Sequence, residues 1–147
     1  MMLRRINKDI KSLMINGFDV ETIGNDIKTI YTHIDGPKGT IYETGKWKIK
    51  IEFVENYPFT SPSISFSTPI FHPNVEFVTG AICLDVLNTN WTPSYEIFNV
   101  VSLLIPQLLS YPNPDDPFNL TAANLLKFNK PLFDSKVLVN IKTYCHE

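Results

Sequence analysis

The residues best suited to chemistry lie in the middle of the 147-residue chain, in Phe71-His72-Pro73-Asn74 and Ala81-Ile82-Cys83-Leu84-Asp85. Cys83 follows Asn74 by nine residues, and a further acidic run, Asp115-Asp116, lies in Tyr111-Pro112-Asn113-Pro114-Asp115-Asp116-Pro117. A cysteine attacks carbonyl or thioester carbon only as an accessible thiolate. Between apolar neighbours, a cysteine taken alone is more commonly a small buried hydrophobe, and a lone His72 reads as a hydrogen-bonded structural residue. A metal centre is disfavoured, because one Cys and one His supply two ligands where a structural zinc needs four. A cysteine hydrolase would need a base held at the thiol and a third group orienting that base. His72 and Asn74 are two apart on a segment stiffened by Pro73, so they point to opposite faces and cannot readily reach one sulfur together. Asp85, if close to Cys83, would disfavour the thiolate. Asp116 alone reads equally as a turn aspartate in a Pro-rich loop.

Something must position these groups. Leu3, Ile6, Ile10, Leu13 and Met14 recur at helical spacing, so residues 2–16 read as an amphipathic helix with Gly17 as its C-terminal cap. Arg4, Arg5, Lys8 and Lys11 fall on the remaining, solvated face. Residues 19–68 read as strands: 26–34 up to the turn Asp35-Gly36-Pro37-Lys38-Gly39, then Trp47, Ile49, Ile51 and Phe53 alternating with charged residues, then 63–67. Short connections favour an antiparallel meander. From Thr68 to Thr92 no period survives, and so long an irregular stretch in a small domain signals function. Helical spacing returns at Glu96, with Ser94 as the expected N-cap and Ile97, Val100, Val101, Leu104 and Leu108 on one face. Pro106 inside that face should kink or shorten the helix. Thr121 is the expected cap of a helix through Phe128. Pro131 opens a last helix bearing Leu132, Val137, Leu138, Ile141 and Tyr144.

Composition bounds the function. Apolar residues make up 44% of the chain and charged residues 19%, which suits one folded α+β domain spanning 1–147. A net charge of −2 gives no global attraction to nucleic acid or to an anionic membrane. No secretory leader or membrane-length apolar run is read in the sequence. Two cysteines, Cys83 and Cys145, are too few for a disulfide framework, so a cytoplasmic or nuclear setting with reduced thiols is expected.

Taken together, Tyr57-Pro58-Phe59, His72-Pro73-Asn74, Cys83-Leu84-Asp85, Trp91-Thr92-Pro93 and the 111–117 loop, in this order, resemble the ubiquitin-conjugating (E2) enzymes over essentially the whole chain. The stretches from Tyr57 to Ile64 and from Ile105 to Pro114 are most similar to the H-type branch, known for acting on histones and metabolic enzymes. That branch shares Pro106 and the eleven-residue step from His72 to Cys83. The resemblance implies the UBC fold: an N-terminal helix, a four-stranded antiparallel meander, an active-site loop and C-terminal helices. It implies that Cys83 takes ubiquitin from an E1 as a thioester and passes it to a substrate lysine or to the cysteine of a HECT ligase. Asn74 would then donate to the oxyanion or brace the loop that carries the cysteine, His72 would be structural, and Asp116 would orient and help deprotonate the lysine. Arg4, Arg5 and Lys8 would meet the E1, and Phe59, Pro93 and Ser94 would meet RING or HECT ligases. No cofactor is implied in the E2 itself, ATP being used by the E1.

The sequence departs from the family in one turn, where Ile41 precedes Tyr42 and Thr44 stands before Gly45 in place of a glycine. That turn is remote in sequence from Cys83. Conjugation of SUMO or NEDD8 uses the same chemistry and stands as the alternative. A cysteine hydrolase or an inactive E2-like binding module is more remote, since the latter lacks the cysteine that is present here. Cys145 matches no catalytic position.

Overall fold

The computed structural model describes residues 2–146. Helix α1, Met2–Ile15, ends where Gly17 adopts a left-handed conformation, with φ of 89°. Gly17 N donates to Met14 O at 3.1 Å and Phe18 N to Leu13 O at 3.0 Å, the paired bonds of a Schellman cap. The buried face of α1 is narrower than its periodicity suggests. Ile6 and Leu13 are fully buried, whereas Leu3 and Met14, expected on the apolar face, are 55% and 59% exposed. Asp9 takes the vacated place.

Asp9 is an aspartate buried among apolar residues, and two groups account for it. The Tyr57 hydroxyl donates to its carboxylate, and Arg5 Nε lies 3.2 Å from the same oxygen. Burial pushes the Asp9 carboxyl above its usual range, with the Tyr57 bond and the Arg5 charge opposing that rise. Arg5 is therefore not on the solvated face: its side chain is 17% exposed and also donates to the carbonyls of Pro93 and Tyr95. Arg4 and Lys8 are exposed as expected.

Strands β1 (Glu21–Ile23), β2 (Asp26–Asp35), β3 (Lys46–Glu52) and β4 (Ser63–Phe66) form an antiparallel meander in the order β1-β2-β3-β4. Register is set by alternation: Ile34 opposes Trp47, Ile30 opposes Ile51, and Ile51 opposes Ile64, all on the inner face. Every residue of β1 is exposed, so no hydrophobic pattern marks that strand in the sequence. The inner face joins Ile6 and Leu13 of α1 and the later helices in a single core.

Short α2 (Asp85–Asn88) interrupts the otherwise irregular 68–92 stretch. Next, α3 (Ile97–Asn99), a π turn (Val100–Leu104) and α4 (Ile105–Ser110) run on as one continuous rod. Pro106 neither breaks nor ends it. Proline lacks an N–H and its ring crowds the carbonyl four residues back. The preceding turn widens, with Ile105 N bonding the Val100 carbonyl five residues back, and so makes room for the ring. Ser94 does not cap this rod; its hydroxyl pairs with Thr92 at 2.7 Å, and Glu96 holds the cap position without a side-chain bond.

Helix α5 (Leu120–Phe128) is capped by Asn119 accepting from Ala122 N, not by Thr121. Helix α6 (Lys130–Tyr144) is capped by Asn129, with Pro131 in its first turn. It buries Phe133, Val137, Asn140 and Ile141 and leaves Leu132, Leu138 and Tyr144 exposed, so the face expected from the sequence is rotated.

Replacing Arg5 leaves a buried carboxylate without its cation. Arg5→Ala should destabilise the fold by about 3 kcal/mol, whereas Arg4→Ala should stay within about 0.5 kcal/mol of wild type, both read from urea unfolding midpoints.

Candidate active site

The irregular stretch is held by contacts that its own sequence does not announce. Tyr42, in the turn that departs from the family, is buried against Trp47 and stacks at 5.6 Å between ring centroids on His72. Its hydroxyl donates to the Phe71 carbonyl at 2.7 Å. A turn remote in sequence therefore abuts the His72-Pro73-Asn74 segment directly.

His72 is completely buried and both ring nitrogens are used. Nδ1 accepts from Asn74 N at 2.9 Å, and Nε2 donates to the Leu108 carbonyl at 2.9 Å. Burial pulls its pKa down to about 4, so it stays neutral and fixes the segment against α4. Neither nitrogen is available as a base for a thiol, which removes the support for a hydrolase.

Asn74 is likewise fully engaged. Its amide nitrogen donates to the carbonyls of Asn113 at 2.8 Å and Asp116 at 3.1 Å, and its oxygen accepts from Asn113 N at 2.8 Å. Its own backbone carbonyl accepts from Cys83 N at 2.8 Å. One residue thus ties the cysteine strand to the acidic loop. Asn113, noticed in the sequence only as part of the 111–117 element, proves to be the clamp's main partner.

Between Asn74 and Cys83 the chain folds back as a small hairpin, bridged at Val75 and Ile82. Its tip turns at Gly80, with φ of 76°, where a β-carbon would strike the Phe66 backbone. Amides of Val78 and Thr79 donate to the exposed Glu76 carboxylate, and these bonds hold its carboxyl below the usual range.

Cys83 emerges half-buried at the mouth of a cleft of about 440 Å³ lined by Leu84, Asn90, Tyr95, Leu104, Leu108 and Asp116. Asp116 is exposed, with one carboxylate oxygen 3.9 Å from the sulfur. Partial burial raises the thiol pKa, and the charges of Asp116 and Asp85 raise it further. Among the described residues no free imidazole lies beside the sulfur, and its one polar partner is the Asp116 carboxylate. Asp85, exposed at the start of α2, acts on it through charge alone.

The remaining expected contacts fall in two places. Phe59 is 57% exposed, and Pro93 and Ser94 are exposed beside it. Trp91 Nε1 donates to the Pro58 carbonyl at 2.7 Å, which holds the two loops together, and Arg5 ties Pro93 to α1. Away from the cleft, donor atoms of Asp19, Glu21 and His33 lie within 4.8 Å of one another. His33 Nδ1 pairs with Asp19 at 2.7 Å and Lys48 Nζ lies 3.4 Å from Glu21, so this trio already has a cation and reads as an ion-pair cluster. No helix among the described residues is long and apolar enough to cross a membrane.

Residues 3–140 match the family described as "Ubiquitin-conjugating enzyme". Ubiquitin-conjugating enzyme E2 6 of Arabidopsis thaliana is 42% identical over 144 residues, covering 98% of this chain and 76% of that protein. Ubiquitin-conjugating enzyme E2-23 kDa of Triticum aestivum is 41% identical over 97% of this chain and 75% of its own length. The E2 domain of a Toxoplasma gondii ubiquitin conjugating enzyme superposes with a TM-score of 0.92 at 33% identity, covering 99% of this chain and all of that one. The chain belongs to the ubiquitin-conjugating enzyme family and has its UBC fold.

The buried neutral His72 has a consequence for stability. The unfolded imidazole protonates near 6.5 and the folded one near 4, so the unfolded chain binds the extra proton between these values. Stability should therefore fall as pH drops from 6.5 to 4, by about 3 kcal/mol from this residue. His72→Gln should flatten that window in unfolding measurements.

Proposed function

We propose that Cys83 carries ubiquitin as a thioester and delivers it to a lysine amine or to a ligase thiol. The observation that carries this reading is the thiol at the cleft mouth, 3.9 Å from Asp116, with His72 already committed to the backbone. Thioester exchange needs no strong base, because the leaving group is itself a thiolate. Relatives named as ubiquitin-conjugating enzymes favour ubiquitin over SUMO or NEDD8.

In loading, the Cys83 thiolate attacks the carbonyl of the E1-bound thioester, its proton having gone to solvent. The E1 sulfur departs as thiolate, and the acyl group is now on Cys83. A thiol of raised pKa is a poor leaving group, so the product holds its cargo until a good nucleophile arrives. In discharge, a neutral lysine amine attacks the same carbonyl and Cys83 sulfur leaves. The attacking nitrogen becomes acidic as its new bond forms, and the Asp116 carboxylate receives its proton. The same carboxylate attracts the lysine beforehand, since a free lysine with pKa near 10.4 arrives mainly as a cation.

Asn74 serves as the brace that holds Asp116 over the sulfur. Its amide hydrogens are both taken by carbonyls, which favours bracing over oxyanion donation. Arg4 and Lys8, exposed on α1, suit a charge-guided encounter with the E1, while Arg5 contributes by fixing the helix to the 93–95 loop. Phe59, Pro93 and Ser94 form the face for a RING or HECT ligase, with Phe59 as the apolar anchor. Similarity to the H-type branch rests on the stretches around Pro58 and Pro106. Two free cysteines suit a cytoplasmic or nuclear setting.

Incubation with E1, ATP and ubiquitin should give an adduct that a reducing agent removes, absent in Cys83→Ala. Cys83→Ser should form a reducing-agent-resistant oxyester. An adduct with SUMO or NEDD8 and their E1s but none with ubiquitin would reverse the choice of modifier. Asp116→Asn should load normally and discharge to free lysine about 10²-fold more slowly; an unchanged discharge rate across pH would remove Asp116 from the reaction.

A further inference from the structure

Helix α6 carries apolar residues on both faces. Phe133, Val137 and Ile141 enter the core, while Leu138 and Val139 on the outer side are 48% and 60% exposed. Apolar residues all round a helix call for cover on every side, and no described element of this chain covers the outer face. Two depressions lie side by side along it and share Ser135 and Val139. One, of about 450 Å³, is a cup walled by Phe71, Phe77, Leu132, Val139 and Tyr144. The Phe77 and Tyr144 rings meet edge to face across it, 6.2 Å between centroids. The other, of about 490 Å³, runs over Pro131 and Leu138. Neither shares a residue with the Cys83 cleft, nor with the face formed by Phe59, Pro93 and Ser94.

Asn140 also lines the cup. It stands on the buried face among apolar residues, is only 7% exposed, and its Oδ1 has no donor among the described residues. A buried acceptor without a donor destabilises the free protein, and an occupant that brings an N–H removes that penalty. The terminal torsion of an amide side chain is soft, so the oxygen can turn to meet a donor in the cup. Charge adds a second constraint. Lys136 borders the cup and Lys142 the neighbouring depression, both exposed. Neither has a carboxylate partner among the described residues, whereas Lys130 is paired with Asp134 at 3.0 Å. Three residues before and three after Val139, the two lysines flank the apolar strip on its opposite sides.

We infer that this face docks an acidic segment of a partner protein, with a tryptophan side chain seated in the cup beside Asn140. Tryptophan combines a large apolar body with a single N–H donor and no acceptor. Leucine or phenylalanine would leave Oδ1 without a donor. A basic segment would meet Lys136 and Lys142 as like charges. Because the face is separate from the Cys83 cleft and from the Phe59 loop, the partner stays bound while Cys83 is loaded and discharged.

The test titrates the full chain into a short fluorescein-labelled peptide, rich in glutamate and bearing one tryptophan, and reads anisotropy at low and high salt. Binding should saturate, weaken with salt, and fall about tenfold when glutamines replace the glutamates. Phenylalanine in place of the tryptophan should cost a similar factor, and Asn140→Leu should erase the preference between the two peptides. Val139→Glu should abolish binding, while its urea unfolding midpoint and its loading at Cys83 stay at wild-type values. No saturable binding, binding indifferent to the peptide's charge, or binding unchanged in Val139→Glu would overturn the assignment. Two other results would overturn it by giving the face to a different occupant. A concentration-dependent dimer dissolved by Val139→Glu would assign it to a second copy of the chain. Binding to anionic vesicles without binding to the peptide would assign it to a membrane surface.

Discussion

The site depends on the side chain of one asparagine. Asn74 makes three hydrogen bonds to the backbone of the 113–116 loop, while its own carbonyl holds the Cys83 amide. Cysteine and carboxylate come from segments more than thirty residues apart, and the amides of Phe118 and Asn119, which donate to the Pro73 carbonyl at 2.8 and 3.0 Å, reinforce the same junction. Remove that residue and three of the bonds that set the distance between sulfur and Asp116 are lost. The rest of the scaffold serves to keep Asn74 in place. His72 pins the segment to α4, Tyr42 holds the carbonyl just before it, and the π turn lets Pro106 sit within the rod that receives the His72 bond.

Electrostatics then define the chemistry. A catalytic cysteine in a protease is lowered in pKa by an imidazolium; here burial and two carboxylates push the thiol the other way. The result suits a carrier. A thiol held in this way is a weaker nucleophile at neutral pH than an imidazole-activated one, as the proposed carrier role requires. Selectivity is left to whatever aligns donor and acceptor at the mouth of the cleft.

Much of this was legible in the sequence because its cause is local. Alternation around Trp47 and Ile49 gave β3, helical spacing gave α1, and the series His72-Pro73-Asn74 to Cys83 gave the family. What stayed hidden depends on contacts between distant segments. Asp9 carries no mark of burial, because its partner Tyr57 lies 48 residues away. Arg5 looked like another solvated cation until its bonds to Pro93 and Tyr95 were seen. Ser94 and Thr121 had the right chemistry for caps but the wrong positions, and Asn119 and Asn129 took that role by closing on the first turns of α5 and α6. Strand β1, exposed throughout, is defined by pairing alone.

The pH dependence of Cys83 alkylation, followed by mass spectrometry in a Cys145→Ala background, tests the central claim most directly. A thiol raised by burial and two carboxylates should titrate above the ordinary value of about 8.5, and Asp116→Asn should bring it down while leaving the burial contribution. A midpoint below that value, or one indifferent to Asp116, would contradict a base-free carrier thiol and point to an activated nucleophile instead.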